Sequence, residues 1–216
     1  LVTCTEMMAL WILPRASASA LRIEEVLEID TETNPVGAVY GEMPQTQNEQ
    51  KGFVEFRNVT FSYPGAEKPV LSGLSFEAKP GEVTAIIGGT GSGKFTLISL
   101  IPRFYEVDGG EILIDGMDIK EISYEDLRKK IGLVPQKAVL FTGSVADNIR
   151  HGKEDASDEE VKKAAQIAQA LGFINQMSEG FDSLIAQGGT NVSGGQKQRL
   201  CIARALVRRP EIYIFD

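Results

Sequence analysis

The sequence is poor in the residues that usually build metal and redox sites, with two cysteines and one histidine among 216 residues. Cys4 and Cys201 stand far apart and match no metal-ligand spacing, so a reduced cytosolic environment is the simpler reading. His151 lies in a polar stretch and reads as a solvated side chain rather than a catalyst. Basic charge is also short, with 22 Lys and Arg against 30 Asp and Glu and a net charge of -8. That balance argues against a general nucleic-acid binder, which needs a basic face to displace counterions, although it leaves room for a local basic groove. The mostly apolar residues 1–13 contain Glu6 and fall short of the ~20 residues that cross a bilayer. Three readings fit them: a secretory signal, a soluble core helix, or the cut end of a longer membrane helix. The first is opposed by the lack of an initiator Met and a basic n-region and by Arg15, and the last is preferred.

What remains is ordinary for a globular protein, 43% hydrophobic and 24% charged, and long enough for one large domain or a domain with an appendage. Glycine is concentrated in one telling place. Residues 86–96 read IIGGTGSGKFT, where an apolar segment at 83–87, predicted as a strand, runs into Gly88, Gly89, Thr90, Gly91, Ser92, Gly93 and Lys94 and then into an apolar-periodic helix. Glycines let the backbone approach a ligand closely, so that several amide hydrogens converge on phosphate oxygens. The helix start adds partial positive charge, and the Lys94 ammonium reaches the outer phosphates. One position departs from the pattern. The residue after the lysine should be Ser or Thr, whose hydroxyl ligates magnesium, but here it is Phe95, with Thr96 one place late and about 100° round the helix. Thr96 can still touch a phosphate, but it does not replace the lost ligand. Weakened magnesium binding with some nucleotide affinity kept is the expectation.

Along the rest of the chain, small and apolar residues recur at helical spacing from 16 to 27, and residues 31–52 lose periodicity and read as a linker. Strands are predicted at 53–63 and 70–78, the second closed by Pro80-Gly81, and a hairpin around Asp115-Gly116. Ser123 with Asp126 starts a helix to Lys130, and Ser157 with Glu160 starts another to about Leu171. Buried strands are predicted at 131–134, ending at Pro135-Gln136, and at 212–215, ending at Asp216, with a helix over 194–208 before the second. A carboxylate at the end of such a strand, downstream of a phosphate loop, holds magnesium, usually through water.

Residues 192–196 read VSGGQ and lead into Lys197, Gln198, Arg199 and then Ala203-Arg204-Ala205-Leu206. This resembles the signature of ABC-type ATPases, in which Ser193, Gly194, Gly195 and Gln196 would sit at a helix N-terminus and bind ATP held by a partner's phosphate loop. Tyr63 in FSYPG is similar to the aromatic that stacks on adenine, Gln136 in VPQ to the Q-loop glutamine that touches magnesium and the attacking water, and Asp216 to the Walker B aspartate. No long coiled-coil insertion separates Lys94, Gln136 and Ser193, which excludes chromosome-maintenance relatives.

Residues 13–27 resemble the end of the sixth transmembrane helix of ABC exporters and its extension. Residues 141–149 and 187–190 also resemble exporter segments, the latter lying where that class meets its coupling helices. The resemblance implies an α/β P-loop core of RecA type with an antiparallel β subdomain and a helical subdomain, ending after the Walker B strand. It divides the chain into residues 1–30, a linker at 31–52 and a nucleotide-binding domain at 53–216. ATP and Mg2+ are the implied cofactors. A second nucleotide-binding domain and a transmembrane domain are the implied partners, with no nucleic acid. The implied setting is the cytoplasmic side of a cell membrane, reached through the missing helices. The glutamate that follows the Walker B aspartate in the family, the D-loop and the switch histidine are not in these residues, so catalysis by them alone is not expected. A degenerate, regulatory ATP site and a soluble translation-factor ATPase are the rival readings.

Overall fold

A computed structural model describes residues 51–216, all within one compact unit. The expectations for the membrane-helix end at 1–30 and for nearly all of the linker at 31–52 lie outside the described residues.

The first layer is an antiparallel sheet built by alternation. In β1 (Val54–Phe61), Val54, Phe56, Val59 and Phe61 are buried, and their neighbours face outward. β1 is the centre strand between β2 (Leu71–Ala78) and β3 (Gly109–Ile114), and β4 (Met117–Asp118) completes the order β2-β1-β3-β4. The register of β1 slips at Asn58, which takes a left-handed φ of 50°. Gly110 fits against that bulge because a Cβ there would lie 2.4 Å from the Arg57 and Asn58 carbonyl oxygens. The predicted hairpin closes through Asp115 and Gly116 at φ 55° and 84°, the left-handed pair that matches strand twist in a two-residue turn.

Against this sheet packs α1 (Lys94–Leu100), which buries residues 96–100 in a core shared with Phe56, Ile112, Ile114 and Leu127. α2 (Tyr124–Lys129) begins at Ser123, whose hydroxyl accepts from Asp126 N at 3.1 Å. It leads into β5 (Ile131–Val134), which pairs in parallel with β8 (Ile212–Phe215). β5 contributes to two cores, Ile131 to that of the antiparallel sheet and Val134 to that of the helical part.

The helical part comprises α3 (Val145–Arg150), α4 (Asp158–Ile167), α5 (Leu171–Ile174) and α6 (Gly194–Val207), with a short antiparallel pair of β6 (Gly143–Ser144) and β7 (Leu184–Ile185). Buried Ala164, Ala165, Ala203 and Ala205 belong to the core that α4 and α6 share. Small side chains of this kind permit close helix approach.

Three expectations are corrected. Residues 83–87 form no strand: they pair with none among the described residues, and Val83 and Ile87 are 97% and 92% exposed. Apolar composition is a local signal, whereas a strand exists only where a second strand completes its hydrogen-bond ladder. The helix beginning at Ser157 does not reach Leu171, because Gln169 takes a left-handed φ of 56° and breaks it into α4 and α5. β8 is buried on one face only, with Ile212 and Ile214 inside and Tyr213 and Phe215 41% and 59% exposed.

An ionic cluster ties these parts together. The Asp115 carboxylate, at the hairpin turn, accepts from Gly52 N at 2.7 Å and Phe53 N at 3.0 Å, and Lys130 Nζ donates to it at 2.8 Å. The same ammonium bonds to Glu211, just before β8. The segment before β1, the antiparallel sheet and both parallel strands thus meet around the Asp115 carboxylate and the Lys130 ammonium.

Candidate nucleotide site

The glycine loop ends where Gly93, at φ 86°, caps the start of α1 in a left-handed conformation; Gly91 is left-handed too, at 80°. A side chain would strain both positions. A Cβ on Gly89 or Gly91 would meet nothing within 4 Å, so the loop's outer face is open to a ligand. The Lys94 ammonium folds back over the loop, donating to Gly88 O at 2.8 Å and Gly89 O at 2.7 Å, with Ser92 Oγ at 3.4 Å. A phosphate would exchange those carbonyls for charged oxygens, a stronger partner for an ammonium.

The two residues after the lysine point to different places. Phe95 is 58% exposed and offers no oxygen. Thr96 is buried, and its hydroxyl lies 3.0 Å from Tyr63 Oη. In this structure the Thr96 hydroxyl is therefore engaged with Tyr63 inside the domain. Tyr63 itself is half-buried and edge-on to Phe61 and Tyr105, with ring centroids 5.0 and 5.3 Å away.

Parallel pairing brings Gln136 and Asp216 together. Val134 is in register with Phe215 and Asp216 N donates to Val134 O at 3.0 Å, so both exposed polar residues leave the carboxyl ends of adjacent strands. Ligands of α/β proteins gather at such strand ends. An amide oxygen and a carboxylate suit a hard cation such as magnesium, which takes one or two carboxylates together with substrate phosphates rather than an all-protein cage. No cluster of three or more His, Cys, Asp or Glu suited to a metal occurs among the described residues.

The serine-glycine stretch begins α6, a helix of 14 residues. Ser193 and Gln196 form a capping box, Gln196 N donating to Ser193 Oγ at 3.3 Å and Ser193 N to Gln196 Oε1 at 2.8 Å. The serine hydroxyl keeps its own proton to donate. Gly194 and Gly195 are exposed with nothing within 4 Å of a would-be Cβ, leaving first-turn amides open to an anion. No hydrogen bond or ion pair joins Ser193 to the Lys94 loop among the described residues.

Two groups escaped the reading of the sequence. Asn148 is fully buried and fully used: it accepts from Phe141 N and Arg204 Nη2 and donates to Phe141 O and Ser144 O. Arg204 also donates to Asn148 O at 2.8 Å and Val139 O at 3.0 Å, tying α6 to the segment after Gln136. The available signal was the Ser144-x-x-Asp147 capping box before Asn148; hydrogen bonds from Ser144 hold the Asp147 carboxyl below the usual carboxylate range.

The ABC transporter family matches residues 71–216, and the chain belongs to that family. Its fold is the mixed α/β ABC nucleotide-binding domain seen in exporters. A solved bacterial Atm1-family ABC exporter with ATP bound superposes at a TM-score of 0.84 and 34% identity, over 98% of this chain and 36% of that one. An uncharacterised ABC transporter ATP-binding protein of Mycobacterium bovis is 47% identical over 97% of this chain and 35% of its own length. An ATP-dependent lipid A-core flippase of Xanthomonas campestris is 44% identical over 94% of this chain and 33% of its own length. The chain thus spans about a third of the length of these relatives.

Proposed function

We propose that these residues are the ATP-binding motor of an ABC exporter, coupling ATP binding and hydrolysis to transport by a membrane part of the same protein, on the cytoplasmic side of a cell membrane. In this reading residues 88–94 grip the phosphates, Tyr63 faces the base, and Gln136 and Asp216 hold magnesium together with the nucleotide. Ser193, Gly194, Gly195 and Gln196 close over the nucleotide of a second domain. The observation that carries it is that both halves of a shared site lie at the surface: the loop around Lys94 is open, and Ser193 to Gly195 are exposed. Each nucleotide then favours the closed pair over the open one, and that differential affinity does the work.

Binding of a fluorescent ATP analogue to the 216-residue chain tests the reading directly. Saturable binding, displaced by ATP, is expected; its absence from folded protein overturns the assignment.

Phe95 modifies the same site. No oxygen stands where the metal ligand belongs, and the Thr96 hydroxyl is engaged with Tyr63. The Phe95→Ser variant is expected to tighten binding of the magnesium complex about tenfold while leaving metal-free ATP binding unchanged, since such a contact is worth ~1.5 to 3 kcal/mol. Equal magnesium dependence in both proteins would remove Phe95 from the account and with it the rival reading of a degenerate site.

A further inference from the structure

A second cavity lies away from the glycine loop, between β5 and α6, with a volume of about 190 Å³. Its walls are apolar at Leu133, Val139 and Ala205, and Cys201, almost wholly buried, lies among them. Among the described residues three basic groups also line it, Arg204, Arg208 and His151, and no carboxylate does. Neither arginine forms an ion pair among the described residues. Arg204 spends its bonds on the neutral oxygens of Val139 and Asn148. The nearest acid on the helix preceding His151, Asp147, is committed to capping Ser144 N at 3.0 Å. Burial pushes the Arg204 guanidinium below its ordinary value, the mark of a partly desolvated cation without an anionic partner.

We propose that this cavity is a binding site for a small organic anion: a single planar apolar ring bearing one carboxylate, seated between Arg204 and Arg208 with its ring against Leu133 and Val139. Size selects the ligand class. A cavity of ~150 Å³ holds a benzene ring, whereas drug-sized or nucleotide ligands need ~300 Å³ or more, so one ring fits and ATP does not. Charge selects the carboxylate, because a planar guanidinium has five donors in a fork and Arg204 has used three of them. Two walls are held in place by close packing. A Cβ on Gly152 would lie 1.9 Å from Arg204 O, and one on Gly132 would lie 2.7 Å from Pro210, so the loop after α3 and the start of β5 sit directly against α6 and its exit. The site is independent of the nucleotide assignment.

The test uses the full 216-residue chain with benzoate as probe, benzyl alcohol as its uncharged analogue and acetate as the anion without a ring, followed by ligand-observed NMR and by the rate at which iodoacetamide alkylates Cys201. Benzoate is expected to bind saturably, to slow alkylation of Cys201, and to bind about tenfold or more tightly than either analogue. Arg208→Gln, at an exposed position, should weaken benzoate about tenfold without changing ATP-analogue binding. Arg204→Gln should do the same if it folds, and Arg208→Gln decides the matter if it does not. Equal affinity for benzoate and benzyl alcohol, no protection of Cys201, or an unchanged benzoate affinity in Arg208→Gln would each overturn the proposal.

Discussion

Replacing Lys94 with Ala is expected to lower ATP affinity of the chain by about a hundredfold or more, read by titration of a fluorescent analogue. The ammonium supplies the one full positive charge in the loop, and each charge-assisted bond to a phosphate is worth ~1.5 to 3 kcal/mol. Part of that is offset, because Lys94 already bonds to Gly88 O and Gly89 O and must release them. Two phosphate bonds less that exchange leave about 3 kcal/mol, which sets the hundredfold figure. The partner variant is Ser193→Ala. It should keep ATP affinity within about twofold, since in the proposed function Ser193 serves a second molecule's nucleotide, yet prevent ATP-dependent pairing in light scattering. It also loses its cap on α6, about 1 kcal/mol, so its unfolding midpoint must be measured alongside. Equal loss of binding in the two variants would contradict the division of labour between loop and signature.

The second large effect is on stability. Asp115 has a side chain only 3% exposed, and among the described residues Lys130 is its single ionic partner. Lys130→Met fills similar volume but leaves a buried carboxylate supported, among the described residues, by Gly52 N and Phe53 N alone. The expected cost is about 3 kcal/mol in urea unfolding, because removing one member of a buried pair strands the other's charge. Asp115→Asn with Lys130→Met should recover much of it.

The pH dependence follows from the same cluster. Burial works to lower the Lys130 pKa, but hydrogen bonds from the ammonium to Asp115 and Glu211 outweigh it, and the net value is raised above the ordinary 10.5. A raised lysine contributes stability that is fully present below the unfolded-state pKa and is lost as pH climbs through the folded-state value. Stability should therefore be flat through neutral pH with respect to this group and fall in strongly alkaline solution, and Lys130→Met should abolish that alkaline limb.

Much of this architecture was legible because its signals are local. Ser123 and Ser157 cap their helices as read, and Asp115-Gly116 turns its hairpin, since each depends on two to four neighbouring residues. The glycine loop and the serine-glycine helix start were legible for the same reason. What was not legible depends on distant partners. Whether residues 83–87 become a strand is decided by which strand lies alongside, and the contact between Tyr63 Oη and the Thr96 hydroxyl joins residues 33 apart. The break at Gln169 defeats a helical pattern that apolar spacing alone would continue. The Arg204 to Asn148 tie spans 56 residues, so no window around either residue contains it.

The one-sided burial of β8 has a practical consequence. Tyr213 and Phe215 leave β8 with an exposed aromatic face at the edge of a two-stranded sheet, and Val83 and Ile87 are exposed as well. Unprotected strand margins of that kind template intermolecular pairing. Solutions of the purified polypeptide should therefore turn cloudy as concentration rises and enhance the emission of a hydrophobic dye, despite a net charge of -8 that ordinarily keeps molecules apart.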